Sequence, residues 1–235
     1  MALLLTCRNF LLLFAVPNIA IIVAAGQGRR FGGMKQFMTF RGMPLFLHSL
    51  LAFEACRNIA EIVLAVPRLK IASVRRTVRN AGITKVHTIV AGGSRRQDSV
   101  KNALSAVSQT RGIVAVHDAV RPVITVPMIN KGIRLCRQHR AVVFGVPVSD
   151  TMKYVKDHVI SRTIPRDNVF TVQTPQFFSL DLLRQAFDHT GTNHEFTDEA
   201  ALLERQGIKV HLFPGDPRNI KVTTRQDLSL IDRML

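Results

Sequence analysis

Residues 19–28 have the sequence IAIIVAAGQG, in which an apolar run is followed at once by small residues and glycines. The run of Ile, Ala and Val predicts a buried strand. Glycine lets the backbone approach a ligand closely, so a loop of this kind after a strand is typical of an anion site, most often a phosphate site. Arg29, Arg30 and Lys35 follow within a few positions. Because three cations stand so close together, we expect an anion of several charges, such as a nucleoside triphosphate.

Two better-known phosphate loops do not fit this segment. The dinucleotide fingerprint needs a third small residue where this chain has Phe31. A P-loop needs Gly-Lys-Ser/Thr, which does not follow here. A glycine-rich surface turn with solvated charges is the alternative that the segment alone leaves open.

The composition indicates one α/β domain with a basic surface. The chain has 235 residues, of which 47% are hydrophobic and 6% are aromatic, and its formal net charge is +16. Such a charge suggests polyanionic partners, namely nucleic acid, anionic lipid or phosphorylated small molecules. The cations are dispersed, however, without a lysine-rich tail or a basic strip interleaved with aromatics. We therefore interpret most of them as solvated, and expect no stable nucleic-acid partner.

The N-terminal segment is apolar but matches no targeting signal well. Residues 1–17 lack a basic start, and Arg8-Asn9 interrupts the apolar run, which is also short for a membrane span. We predict an N-terminal extension over residues 1–18 and a single domain over residues 19–235, with no membrane partner. An upstream start assignment and a membrane anchor are the alternatives.

Three cysteines lie far apart and form no metal-ligand cluster. They are Cys7, Cys56 and Cys136. The last two fall on apolar helix faces, where buried thiols are expected. A reducing compartment, and hence a cytoplasmic location, fits this pattern.

Strand and helix patterns alternate along the chain. Strands are predicted at 19–23, 61–66, 86–90, 113–117 and 141–146, and helices at 45–56, 69–80, 98–107, 128–139, 180–188, 198–206 and from 225. This order predicts a Rossmann-like, doubly wound and mostly parallel sheet with helices on both faces. Residues 150–168 break the rhythm and predict a projecting β-hairpin arm, whose edges a partner chain could cover.

Ligands of such sheets bind beyond the carboxyl ends of the strands, so several segments are expected to converge on one crevice. Five segments carry this pattern, namely residues 24–36, 92–100 (GGSRRQDSV), 117–122 (HDAVRP), 150–153 with 174–176 (DTMK and TPQ), and 219–223 (NIKVT). In this order the chain closely resembles the 2-C-methyl-D-erythritol 4-phosphate cytidylyltransferase family of the non-mevalonate isoprenoid pathway, over residues 19–235. The resemblance implies transfer of a cytidylyl group from CTP to a methylerythritol phosphate, with Mg²⁺ as cofactor.

The resemblance also implies roles for individual residues. Arg30 and Lys35 would stabilise the charge on the α-phosphate and the leaving pyrophosphate. Arg166, predicted on the strand leaving the hairpin, and Lys221 would orient the methylerythritol phosphate. The nucleotide-binding residues would be Ala24, Ala25, Gly26, Gly28, Gly93, Ser94, Ser99, Asp118 and Ala119. Asp118 would hold Mg²⁺, directly or through water, because a hard cation prefers carboxylate oxygen. The remaining substrate contacts would come from Arg121, Thr151, Thr174 and Thr197.

The resemblance further implies a homodimer through the arm, in which Arg166 and Thr151 complete the partner's site. Two departures from the family pattern concern the loop: Val23 and Met34 stand where proline is usual, and the span from Arg30 to Lys35 is short. A hydrolase triad is not supported, since Ser99 has no His and Asp at a recognisable spacing. The rival functions are a cytidylyltransferase for another polyol phosphate, such as ribitol 5-phosphate, and a basic RNA-associated protein.

Overall fold

A mixed seven-stranded sheet forms the centre of the molecule. The computed structural model describes residues 16–28, 31–190 and 194–234. Within them the strands are β1 (Asn18–Val23), β2 (Thr39–Phe40), β3 (Met43–Pro44), β4 (Ile59–Val66), β5 (Val86–Ala91), β6 (Ile113–Asp118), β7 (Ala141–Pro147), β8 (Met152–Lys156), β9 (Val159–Ile164), β10 (Phe170–Ser179) and β11 (His211–Pro214). The α-helices are α1 (Leu45–Ala55), α2 (Ile71–Asn80), α3 (Arg96–Ser105), α4 (Val126–His139), α5 (Leu180–Asp188), α6 (Glu199–Arg205) and α7 (Arg225–Asp232).

The strand order of the central sheet is β11-β7-β10-β6-β1-β4-β5. The pairs β1–β4, β1–β6, β4–β5 and β7–β11 are parallel. Only β10 runs antiparallel to its two neighbours, β6 and β7. The predicted α/β class and the mostly parallel sheet are therefore confirmed.

The sequence patterns did not predict β10 and β11. In β10 the polar residues Gln173, Thr174 and Gln176 are typical of a loop, yet all three are buried. The two glutamines find their partners in distant segments, since the Gln173 amide donates to the carbonyl of Asp216 at 2.8 Å and the Gln176 amide donates to Asp198 at 2.7 Å. A buried strand can carry polar residues when each one finds a hydrogen-bond partner.

The two faces of the sheet bury separate hydrophobic cores, as β1 shows. Ala20 and Ile22 pack into the core under α1 and α4, whereas Ile19 and Ile21 pack into the core under α3 and α5. All four side chains are fully buried. A strand covered on both faces is continuously apolar, which is why β1 carries no polar alternation.

The predicted hairpin arm is formed by β8 and β9, which make a two-stranded sheet of their own. Asp157 and His158 connect them with φ of 49° and 64°, the left-handed values of a tight hairpin turn. The arm is exposed, including the apolar side chains of Tyr154 and Val159. Arg166 was predicted on the strand leaving the hairpin, and this is wrong: it lies in the turn between β9 and β10.

Smaller features complete the fold. Cys56 and Cys136 are buried and free, as predicted, and burial raises the pKa of the Cys136 thiol to about 12. Cys7, Arg8 and most of the predicted extension lie outside the described residues. Among the helices that the structure describes, none is long and apolar enough to cross a membrane.

Candidate active site

A cavity of about 310 Å³ opens at the carboxyl ends of β1, β5 and β6. Ten residues predicted from the sequence line it: Ala24, Ala25, Gly26, Gly28, Lys35, Gly93, Ser94, Ser99, Asp118 and Lys221. Seven further residues complete the lining: Val23, Gln27, Phe31, Gln36, Arg95, Arg96 and Val120. The strand ends therefore bring the glycine-rich loop, the start of α3 and the Asp118 region into one crevice.

The glycine-rich loop, residues 24–28, forms one wall of the cavity. The Ala24 N–H continues the sheet by donating to the carbonyl of Ala65 at 2.8 Å. Gly28 has φ of 64°, and a Cβ there would lie 1.7 Å from the carbonyl oxygen of Gly33. Glycine is therefore required, because the next turn of chain lies directly against this position. Arg30, predicted to be catalytic, lies outside the described residues.

The loop before α3 and the first turn of α3 form another wall. The Gly93 N–H donates to Ser99 Oγ at 3.0 Å, and a Cβ on Gly93 would lie 2.3 Å from the Cβ of Asp98. Ser94 Oγ donates to Asp98 Oδ2 at 2.9 Å, and Arg95 forms an ion pair with Asp98 at 2.8 Å. The hydrogen bond from Arg95 is the main reason why the pKa of Asp98 falls to about 2. Gly93, Ser94 and Ser99 therefore present small groups in fixed positions, which suits a flat ring.

Asp118 lies at the floor of the cavity and binds two cations. Its Oδ1 accepts from Arg96 Nε at 2.9 Å, and its Oδ2 lies 2.6 Å from Lys221 Nζ. Burial acts to raise the pKa of this carboxyl, but the charges of Arg96 and Lys221 outweigh burial and hold the pKa far below its usual range. Asp118 is therefore ionised at neutral pH.

Arg96 connects Asp118 to a second buried carboxylate. Its Nη1 donates to Glu199 Oε1 at 2.7 Å and to Oε2 at 3.0 Å. Glu199 is fully buried, and burial raises its pKa although Arg96 opposes this. Burial also acts to lower the pKa of Arg96, yet the two carboxylates raise it above its ordinary value. Neither Arg96 nor Glu199 was predicted from the sequence, where the adjacency of Arg96 to Gly93 and Ser94 was the available signal.

Asp118 suits Mg²⁺ only if substrate phosphates supply further ligands. Among the described ranges there is no group of three His, Cys, Asp or Glu side chains that could hold a metal ion. Asp118 is the one carboxylate among the cavity-lining residues described here. Mg²⁺ commonly takes one or two carboxylates and completes its shell with water and substrate phosphates. Asp118 together with a triphosphate would supply such a set.

A hydrogen-bond chain behind the cavity fixes the backbone of Asp118. Its N–H donates to Thr174 Oγ1 at 3.0 Å, and that hydroxyl lies 3.2 Å from His117 Nδ1. His117 Nε2 lies 3.2 Å from the carbonyl of Arg121, which can only accept, so Nε2 carries the proton and Nδ1 accepts from Thr174. Burial lowers the pKa of His117 to about 3. His117 is therefore a neutral structural residue.

The remaining predicted residues, one of the nucleotide set and three of the acceptor set together with Arg166, lie outside the cavity. Arg121 donates to the carbonyl of Asn219 at 2.7 Å, and Ala119 is fully buried with its N–H bonded to the carbonyl of Val23. Thr151, Thr197 and Arg166 are exposed, and the Arg166 guanidinium donates to the carbonyl of Ser149. This chain by itself does not bring these three residues to the cavity.

Comparison with known proteins assigns a family. The model of the family 2-C-methyl-D-erythritol 4-phosphate cytidylyltransferase matches residues 18–235. The enzyme of that name from Symbiobacterium thermophilum is 41% identical over 224 residues, covering 94% of this chain and 93% of its own. The one from Dictyoglomus thermophilum is 34% identical over 221 residues, covering 92% and 96%.

Solved structures agree with the sequence comparisons. The crystal structure of 4-diphosphocytidyl-2C-methyl-D-erythritol synthase from Anaerococcus prevotii superposes with a TM-score of 0.80 at 26% identity, covering 93% of this chain and 97% of that one. The enzyme from Francisella tularensis gives 0.78 at 29% identity, covering 93% and 100%. The chain therefore belongs to the 2-C-methyl-D-erythritol 4-phosphate cytidylyltransferase family.

Proposed function

We propose that this protein transfers the cytidylyl group of CTP to 2-C-methyl-D-erythritol 4-phosphate, giving 4-diphosphocytidyl-2-C-methyl-D-erythritol and pyrophosphate for isoprenoid precursor synthesis. One observation carries the proposal beyond the family relationship. A single cavity joins the glycine-rich loop and the nearby Lys35 to a wall of small polar groups at Gly93, Ser94 and Ser99. The first feature suits a triphosphate and the second suits a pyrimidine ring.

The reaction needs positive charge rather than a base. An oxygen of the acceptor's phosphate attacks the α-phosphorus of CTP, the bond from that phosphorus to the bridging oxygen breaks, and pyrophosphate leaves with the electron pair. The nucleophile is already an anion, so no proton must be removed from it. Catalysis then depends on alignment and on fixed cations that offset the repulsion between anions. Lys35 borders the cavity where this charge develops, and Arg30 is proposed to share the task.

Lys221 gives the cavity a cation that is paired with Asp118 and still has donors for a phosphate. Asp118 balances the charge of Lys221 across a contact of 2.6 Å. A phosphate that binds beside Lys221 can accept a hydrogen bond from its ammonium group, since a lysine has three N–H donors. We propose that Lys221 then orients the acceptor phosphate. Asp118 would hold Mg²⁺ together with the triphosphate, and the ion would neutralise phosphate charge there.

The acceptor side is proposed to be completed by a second copy of the chain. Arg166 and Thr151 lie at the base of the β8–β9 arm and away from the cavity of their own chain. The arm also exposes Val159 and Ile160, which are 68% and 60% accessible. Burying such side chains between two arms would stabilise a dimer. A cytoplasmic location is kept as a prediction.

Pyrophosphate release tests the function. Purified protein is given CTP, Mg²⁺ and one acceptor from a panel containing methylerythritol 4-phosphate and ribitol 5-phosphate. We expect release that depends on the first acceptor, and preference for the second would assign the protein to another polyol phosphate. Lys35→Met should abolish release, whereas Lys209→Met, an exposed lysine outside the cavity, should leave it unchanged. No release with either acceptor would refute the proposal.

The dimer is tested separately by sedimentation. The wild type should sediment as a dimer, and the arm variant Val159→Lys should shift it towards the monomer with a loss of turnover. A monomeric wild type that is fully active would contradict the proposed sharing of Arg166 and Thr151.

A further inference from the structure

The side chain of Gln36 ties the glycine-rich loop from behind. Gln36 lies in a single 3-10 turn, Lys35–Phe37, that follows the loop, and it is only 2% exposed. Its Nε2 donates to the carbonyl oxygens of Ala24 and Gly26, both at 2.8 Å. Both partners can only accept, so the chemistry itself orients the amide. A primary amide has two donor hydrogens, and this loop uses both.

These two bonds decide which way two peptide units of the loop face. In a trans peptide the carbonyl and the following N–H point in opposite directions. Because the carbonyls of Ala24 and Gly26 are held towards Gln36, the N–H groups of Ala25 and Gln27 point away from it. Loops of this kind bind phosphate through N–H groups, and a carbonyl turned the other way would present partial negative charge to the anion.

The same anchor places Lys35. Its backbone N–H donates to the carbonyl of Gly33 at 2.8 Å, and the next residue, Gln36, is fixed to the end of β1. The backbone of Lys35 is therefore held by its own hydrogen bond and by the anchored Gln36, while its side chain borders the cavity. Loss of the Gln36 bonds would release the loop and the start of the turn that carries Lys35 together.

We propose that Gln36 is a positioning residue for the triphosphate, which orients the N–H groups of the glycine-rich loop by taking the carbonyls of Ala24 and Gly26. The inference rests on the proposed function, since it assumes that this loop binds the phosphates of CTP. Gln36 is not a catalytic residue, because both of its amide hydrogens are donated to backbone carbonyls of the protein. Its contribution is to keep the loop in the conformation that binds an anion before the nucleotide arrives.

The variant Gln36→Met tests the proposal, because it retains the length of the side chain and removes both donors. Titration calorimetry would measure binding of CTP, inorganic tripolyphosphate and cytidine. We expect CTP and tripolyphosphate to bind at least about tenfold more weakly, since the carbonyls of Ala24 and Gly26 lose the two donors that orient them. Cytidine is proposed to contact the wall at Gly93, Ser94 and Ser99, so it should bind as it does to the wild type. In turnover, KM for CTP should rise while KM for the acceptor stays unchanged.

A control and a binding baseline separate the outcomes. Gln206→Met also removes an amide that donates twice, to the carbonyl of Ala186 at 2.7 Å and to Thr190 Oγ1 at 2.9 Å, outside the cavity. It should leave all three affinities unchanged. Equal weakening of cytidine and tripolyphosphate in Gln36→Met would show a general structural role and overturn the proposal, as would unchanged binding. A wild type that binds neither CTP nor tripolyphosphate would instead refute the proposed function.

Hydrogen exchange of the wild-type side chain gives a second measurement that does not depend on a variant. The two Nε2 hydrogens of Gln36 should exchange far more slowly than those of Gln185, which is exposed on α5. Tripolyphosphate should slow the exchange of Gln36 further and leave Gln185 unaffected. Exchange of Gln36 as fast as that of Gln185, or without response to tripolyphosphate, would overturn the proposal even if Gln36→Met does not fold.

Discussion

The buried charges around Arg96 should make Arg96→Met one of the most destabilising changes at the site. The substitution removes hydrogen bonds of 2.9 Å to Asp118 and of 2.7 and 3.0 Å to Glu199. Glu199 is fully buried and has no other cation within ion-pair distance among the described residues. Its carboxylate would remain in the core without a partner, which is the costly way to break a buried ion pair.

The size of the effect follows from the burial of the partners. Removing one member of a buried ion pair costs about 3–5 kcal/mol. The Arg96 side chain is 23% exposed and Asp118 retains Lys221, so the lower end of that range applies. For a chain of this size each kcal/mol lowers Tm by about 2–4 °C, so about 3 kcal/mol corresponds to a fall of about 6–12 °C. Turnover should also fall, because Asp118 loses the group that holds its Oδ1.

Calorimetric melting of four proteins would test this reasoning. The double variant Arg96→Met/Glu199→Met should recover most of Tm, because apolar side chains of similar volume can replace a buried pair. It should not recover turnover, since Asp118 still lacks Arg96. Arg140→Met is the control: its pair with Asp181 is exposed, with accessibilities of 57% and 46%, and should change Tm little. A fall no larger for Arg96→Met than for Arg140→Met, or a double variant as unstable as the single one, would refute the argument.

Two further predictions concern the glycine-rich loop and pH. In Gly28→Ala, a Cβ would lie 1.7 Å from the carbonyl oxygen of Gly33, so KM for CTP should rise at least about tenfold. In Gly82→Ala, which has a similar φ of 68° and open space around it, CTP kinetics should be unchanged; equal KM values in the two variants would contradict the role of the close contact. Burial lowers the pKa of His117 from 6.5 to about 3 in the folded state. Protons therefore favour the unfolded chain, and stability is complete above about pH 6.5 and lost as the pH falls towards 3. Urea unfolding between pH 7.5 and 4 should show this loss in the wild type and less of it in His117→Gln, and identical pH profiles would be inconsistent with a buried neutral histidine.

The sequence predicted the features that depend on local pattern. The apolar run of β1 and the glycines after it required a buried strand and a loop of unusual backbone conformation, and the structure has both. The convergence of strand ends then placed Gly93, Ser99 and Asp118 correctly around one cavity. The hairpin arm was also predicted, since its tight turn at residues 157–158 separates two short runs of strand-forming residues.

The features that were missed depend on contacts between distant parts of the chain. β10 contains polar residues and a proline, so its own sequence does not indicate a buried strand. Its glutamines are buried because Asp216 and Asp198, which are distant in the sequence, accept their hydrogen bonds. The same holds for Arg96. Its role depends on Glu199, which lies on α6, 103 positions further along the chain, and contacts Arg96 only in the folded protein. Arg166 was misplaced because the chain turns there before β10 begins.

By itself, then, the sequence determined the fold class, the family and the chemical character of the site, because strand patterns, glycine positions and clustered cations are local properties of the chain. The tertiary structure decided how those groups are arranged. It paired Asp118 with Lys221 and Arg96, and it turned the carbonyls of the glycine-rich loop towards Gln36. The physical reason is that a buried charge or carbonyl requires a partner, and which group supplies it depends on packing across the sheet.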